Sequence, residues 1–520
     1  MQRLLGRIAP RLDAPRAWWV ISLLLALATS PGCADTPAAP AGPAAPKTYD
    51  EAMALIQEGE RHLEAAQTVP PEEIASEVRQ ATANCEAARS FFDRDAYPNE
   101  WAHATHLLGR AHVMRPTGDR RADLTEAVKC QEAVLQIWTR DERPEEWAVA
   151  MTSLGEAYAA FPSGDVAANL RRAISCYEAA LEVVEERDTP VLWARATYGL
   201  GDAWLGLEGP DWQENVATAI VCYEAALRVV TEEAEPVAWS RATRGLASAH
   251  SCLEGAGRPA HIQHALALAE IALRPLNEDS TPYEWGLATA DLGTLHVKLA
   301  EAGAPDHARK AVECFQRALR LLPEDSVPRE WASVTQRLGA THLLLRSDDA
   351  DDHLSKAFDC LRSVLRVWTK ESNPGGWTET TKLLALCHVA RGDFERAIDN
   401  YRNVLPLTDQ ESAPDDWATV RRDLALVLVA REQRDRGGNL DEAEALLRAA
   451  LTVWTEETNP AEWAGGKKWL ASIALLEDPN SSANRQRARA LLLEALRGYE
   501  ASGDEQGVAD VRSTLARMGE

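Results

Sequence analysis

The chain has 520 residues and carries 80 Asp and Glu against 55 Lys and Arg, a formal charge of −25 at pH 7. Such an acidic balance argues against nucleic acid as a partner and against a general affinity for anionic lipid; its plainest source is a set of solvated outer helices. Charged residues make up 26% and Ala, Leu and Glu dominate, the composition of helical arrays.

Residues 1–33 read as an export segment. Arg3, Arg7, Arg11 and Arg16 form a basic head, and Ala17–Thr29 (AWWVISLLLALAT) is an apolar stretch too short for a comfortable membrane span. Ser30-Pro31-Gly32-Cys33 follows. Gly directly before Cys resembles the lipobox of bacterial lipoproteins, with Ser30 where that box has Leu. The resemblance implies a mature chain that begins at an acylated Cys33; plain cleavage near Ala34 and an uncleaved anchor are the alternatives. Residues 34–47 (ADTPAAPAGPAAPK) hold four Pro and six Ala and read as a semi-rigid tether or an ordinary disordered stretch.

Residues 48–97 read as a degenerate helical hairpin, with Ala81, Cys85 and Ala88 at the spacing that later units repeat. Residues 98–503 are nine copies of one unit. Each opens Pro-x-x-Trp, with the Trp at 101, 147, 193, 239, 285, 331, 377, 417 and 463; the step is 46 residues except for 40 between Trp377 and Trp417. A fixed period of this length marks a repeat array, which overrides the several separate domains that length alone suggests. The Pro suits the first position of a helix. Thr189, Thr281, Asn373 and Asn459 precede it as N-caps, and acids such as Glu284 and Glu330 fill the first turn, where the helix dipole favours them. Leu stands seven residues after every Trp, and Gly or Ala eight after, so a second helix approaches closely there. That helix is expected to start at Asp123, Asn169, Asn215, His261, His307, His353, Asp393, Asn439 and Asn484. Ala follows four residues later in all nine units, from Ala127 to Ala488. Residues 504–520 read as a capping helix with Val508, Val511 and Leu515 inward.

Leu-Gly/Ala followed by Ala-x-x-x-aromatic-x-x-Ala resembles the tetratricopeptide repeat. Leu384-Ala385, Ala397, Tyr401 and Val404 carry it with the family's own internal spacing, and the other units look like a long-period bacterial variant with a longer inter-helix loop. The resemblance implies an all-α, right-handed α-solenoid of stacked helical hairpins. It also implies a concave groove, lined by the first helices, that holds a protein or peptide partner.

The inward stripe of the family corresponds here to the second, fifth and ninth residues after each Trp. It carries His103, Arg195 and Arg241, then His106, Tyr198, Arg244, Gln336, Lys382, Arg422 and Lys468, and then Arg110. Its acids are Glu156, Asp202 and Glu379. The expectation is a partly basic groove in which Arg195, Tyr198, Arg241, Arg244, Gln336, Lys382, Arg422 and Lys468 meet an acidic peptide; i,i+4 pairing on exposed helix faces is the alternative. Cys130, Cys176, Cys222, Cys314 and Cys360 share one repeat position and read as small buried residues. Equivalent sites in stacked helices lie about 8–10 Å apart, too far for a disulfide. His112, His250, His296, His342 and His388 share another position, a packing site in the family, and no metal is expected there. No Gly-x-x-x-x-Gly-Lys, Gly-x-Ser-x-Gly or His-Glu-x-x-His occurs. The acidic run Asp348–Asp352 lacks the Gly and the twelfth-place Glu of a calcium loop. The functional expectation is thus a non-enzymatic, envelope-tethered interaction scaffold without cofactor. A regulatory subunit of an envelope complex and a structural spacer are the alternatives.

Overall fold

The computed structural model describes residues 43–518, apart from 117–118, 162–165, 210, 256, 346–349, 412, 435–438 and 479. The export segment with Cys33, most of the Pro/Ala stretch and part of the run Asp348–Asp352 lie outside the described residues. Among the described residues no helix is long and apolar enough to cross a membrane.

The Pro-x-x-Trp frame sets the architecture, because every first helix begins at its Pro. Helices α1 (Tyr49–Ala65) and α2 (Pro71–Phe91) form a leading hairpin. Then α3 (Pro98–Met114) pairs with α4 (Arg120–Val134), α5 (Pro144–Ala159) with α6 (Val166–Leu181), and α7 (Pro190–Gly206) with α8 (Trp212–Leu227). Next, α9 (Pro236–Ser251) pairs with α10 (Arg258–Ala272), α11 (Pro282–Glu301) with α12 (His307–Leu321), and α13 (Pro328–Leu344) with α14 (Ala350–Val367). The last pairs are α15 (Pro374–Arg391) with α16 (Phe394–Val404), α17 (Pro414–Arg434) with α18 (Leu440–Ala450), and α19 (Pro460–Glu477) with α20 (Ser482–Ser502). Helix α21 (Glu505–Arg517) follows; Val511 is buried, with Val508 and Leu515 packed beside it. The described residues form an all-α solenoid of stacked hairpins without a strand.

The repeated Ala is where the two helices of a hairpin touch. Ala127, Ala173, Ala219, Ala265, Ala311, Ala357, Ala397, Ala443 and Ala488 are all 0% exposed. Tyr177, Tyr223, Phe315 and Tyr401 fill the aromatic place and are also buried. Small residues opposite make room for them. A Cβ on Gly155, eight residues after its Trp, would lie 2.8 Å from the Tyr177 ring; one on Gly199, in the following unit, would lie at the same distance from the other side. The ring is therefore held between consecutive first helices.

Helix starts differ in part from the sequence expectation. Asp393 and Asn439 stand at the N-cap position as expected; Asp393 accepts from the Arg396 amide at 3.3 Å and Asn373 from the Gly376 amide, whereas Asn439, Thr189, Thr281 and Asn459 make no side-chain cap bond. In α4, α8 and α20 the caps are Asp119, Asp211 and Ser481, so Asp123, Asn215 and Asn484 lie about one turn inside. Asn169, His261 and His353 also sit within the first turn, and His307 is one residue past its cap Asp306. Asp123, Asn215, His307 and His353 reach back to the end of the first helix instead. Asn215 donates to the Leu207 carbonyl at 2.7 Å, and Asp123 accepts from Arg115 at 2.7 Å. The short unit has its own device: Gly392 takes a left-handed φ of 74°, a conformation that favours glycine, and leads straight into the Asp393 cap.

The chain also closes on itself. One apolar cluster joins Leu107, Leu108 and Ala111 of α3 to Phe315 of α12 and Val334 and Leu338 of α13, with Met114 and Tyr283 packed against it. At its edge Arg329 donates to the Arg115 carbonyl at 3.0 Å, across 214 residues of sequence.

Candidate partner-binding wall

First helices of successive units lie side by side, so the residue two to nine places after one Trp meets its counterparts about 40 residues away. They line a cavity of about 520 Å³. Its wall includes Glu156 of α5, Arg195 and Tyr198 of α7, Arg241 of α9, Glu284 of α11 and Arg329 of α13.

The basic stripe is present, but its cations are engaged within the chain. Arg195 grips Glu156 by two hydrogen bonds of 2.6 and 2.5 Å. Burial opposes both charges; the pairing outweighs it, raising the Arg195 pKa and lowering that of Glu156. Arg241 meets Glu284 at 2.9 Å, and that attraction, offset by burial, raises its pKa well above the ordinary value. Arg244 reaches both Asp291 at 2.8 Å and Glu284 at 3.2 Å. Tyr198 is buried in the wall, where burial raises its pKa. Gln336 donates to Thr380 Oγ1 at 2.9 Å and to the Gly376 carbonyl at 3.4 Å. Lys382 pairs with Glu379, Lys468 with Asp510 at 2.9 Å, and Arg422 with Asp423 at 2.9 Å while lying over the Trp454 ring.

Most of these pairs join different units rather than i,i+4 positions of one helix. The stripe shows Glu156 and Glu379, partners of Arg195 and Lys382, but not Glu284 or Asp291. Glu284 lies in a first turn, where the helix dipole alone accounts for it, and Asp291 lies off the stripe, yet both stand opposite cations of the preceding first helix. A search for opposite charges 40–47 residues apart finds them. The pairs are also layered. The Glu284 side chain is 5% exposed beneath Arg241, which is 46% exposed. The cation, not the acid, faces the solvent at that point of the wall.

The two ladders at fixed repeat positions are packing features. Eight described cysteines are free thiols; burial pushes Cys176, Cys222, Cys314 and Cys360 up to about 11, so they are unreactive thiols at neutral pH. The histidines pair: Nδ1 of His296 and His307 lie 2.8 Å apart, and those of His342 and His353 3.1 Å. Among the described residues no group of three or more metal-ligating side chains gathers.

No protein-family model matches the chain, and no curated protein matches it. Solved structures do. Human IFIT1, as a dimer with m7Gppp-AAAA, aligns with a TM-score of 0.49 and 13% identity over 91% of this chain and 96% of that one. A Rap protein complexed with competence and sporulation factor aligns at 0.38 and 14%, over 90% and 98%. The TPR domain of P58(IPK) aligns at 0.23 and 14%, over 82% and 99%. At these levels of likeness no functional argument passes from those proteins to this chain.

Proposed function

We propose that the protein is a non-catalytic scaffold, tethered to the cell envelope, whose wall of first helices holds an acidic segment of a partner protein. The observation that carries the reading is the layering at Glu284. One buried carboxylate supports two guanidiniums, and Arg241 keeps its outer side free for a second carboxylate, which a planar fork grips by two hydrogen bonds. Arg195, Tyr198, Arg244, Gln336, Lys382, Arg422 and Lys468 extend the same wall and position a bound chain along it. Binding of this kind weakens with salt, since exposed charges are screened over about 8 Å at physiological ionic strength.

The test is Arg241→Gln, which leaves Arg244 on Glu284 and so keeps the wall intact. Reversal of both charges would instead crowd four carboxylates. Partners retained from the native membrane fraction by the wild-type chain should be lost by this variant, with the helical circular dichroism unchanged. Equal retention at every salt concentration would refute the proposed role of the wall.

The tether rests on the basic head, the short apolar stretch and Gly32-Cys33. Mass spectrometry of the mature N-terminus should find Cys33 first and lipid-modified. An unmodified Ala34 or an intact Met1 would remove the lipid anchor from the proposal.

A further inference from the structure

Two guanidiniums that form no direct ion pair with a carboxylate among the described residues meet where the chain closes on itself. Arg329, at the start of α13, donates to the Arg115 carbonyl. Arg120, at the start of α4, donates to the Val113 carbonyl. Both acceptors lie at the end of α3, where the helix dipole places about half a negative charge. Two full positive charges therefore face about half a negative one from the helix end and the single carboxylate of Glu330. Asp123, the acid nearest in sequence to Arg120, is taken by Arg115 at 2.7 Å. Glu330 lines the same gap; one of its oxygens accepts from the Tyr283 hydroxyl at 3.3 Å and the other is buried without a hydrogen-bond partner. Asp291, on the far side, is shared between Arg244 at 2.8 Å and Arg337 at 3.8 Å. Burial, and after it the charge of Arg329, pushes Arg120 down to about 10 against the opposing charges of Glu330 and Asp123.

The gap is open to a ligand. Arg120, Arg329 and Glu330 line both the 520 Å³ cavity of the wall and an adjoining one of about 420 Å³. Arg110 stands on the first side and Arg337 on the second. A guanidinium has five N–H donors, and each of Arg120 and Arg329 uses one on the protein.

We propose that this junction binds a phosphate group, free or on a small phosphorylated compound, held between Arg120 and Arg329 with Arg110 and Arg337 to either side. Phosphate fits better than carboxylate because it accepts through several oxygens at once and so can reach past Glu330 to both forks. It can thus serve two forks that come from different turns of the chain. Bound there, it joins the end of α3 and the start of α4 to the start of α13. The proposal uses other cations than the partner-binding reading and stands or falls separately from it.

The experiment is calorimetric titration of the full chain with inorganic phosphate, glycerol phosphate and acetate. Hydrogen exchange of residues 110–120 and 328–337 is followed with and without phosphate. Saturable phosphate binding, weak or no acetate binding, and added protection confined to those two stretches are expected. Arg120→Gln and Arg329→Gln should each weaken phosphate by about tenfold or more. Tighter binding of glycerol phosphate than of phosphate assigns an organic ligand, and the reverse assigns the free ion. The absence of saturable phosphate binding, acetate bound as tightly, or unchanged affinity in folded variants overturns the proposal. The exchange measurement on the wild-type chain decides the matter if a variant fails to fold.

Discussion

Tyr177 sets a demand on residues in two units at once. An alanine at Gly199 would bring a methyl within 2.8 Å of its ring, and Gly155 closes the opposite side, so the ring has nowhere to go. Helix propensity alone favours alanine over glycine by about 1 kcal/mol, but overpacking a filled core costs about 1–3 kcal/mol. Gly199→Ala should therefore lower stability in urea unfolding by up to about 2 kcal/mol. Gly375→Ala, whose methyl would meet only Asn373 Oδ1 at 3.9 Å, should be neutral or stabilising. A gain of about 1 kcal/mol for Gly199→Ala, the value of helix propensity alone, would show that the ring is not confined. The small residue eight places after each Trp was legible in the sequence, because all nine units keep it. Gly199 and Gly245, six places after, were not, because only Tyr177 and Tyr223 extend far enough to require them.

Within each hairpin, one contact ties the end of the first helix to the start of the second. Early units make it with Arg115 and Asp123, or with Asn215 and the Leu207 carbonyl. The middle units make it with His296 and His307, with His342 and His353, and with His250 edge-on to His264 at 4.7 Å. Burial first and the partner ring second hold His296 and His342 down at about 4, with Lys310 and Lys356 adding to the effect and Asp352 opposing it at His342. An unfolded histidine titrates near 6.5. Between about pH 6.5 and 4 the unfolded state thus binds more protons, and stability falls as the pH falls through that window. Hydrogen exchange should show α11–α14 losing protection there ahead of α16–α20, since no His follows His388. His307→Asn with His353→Asn, which copies Asn169 and Asn215 of the sister units, should lessen the response by the share of the partner ring and leave the share of burial. Uniform loss along the array would assign it to carboxylates instead. The ladder of His at one position was legible in the sequence. Its partner was not, because several second helices begin earlier than the polar residues suggest, by one residue at His307 and about a turn at His353, turning expected caps into contacts.

Over the whole molecule, the repeat made the fold readable and left its closure hidden. Pro at the first helical position, the fully buried Ala and the paired helices follow from residues a few places apart. The meeting of Arg115 with Arg329 depends on small rotations accumulated over several hairpins, and no short pattern encodes that sum. The same holds for charge. A stripe of cations was visible along the first helices, but their acids lay one unit away, and which of the two faces solvent depends on burial. The wall that results is the surface assigned to a partner, and site-specific photo-crosslinking tests that assignment directly. A benzophenone side chain at Ser248, which lines a cavity of the first-helix wall beside Arg244 and Asp291, should form adducts with partner proteins in the native membrane fraction. The same group at Val221, 64% exposed on the second helix α8, should form none. Adducts at Val221 with none at Ser248 would contradict the account.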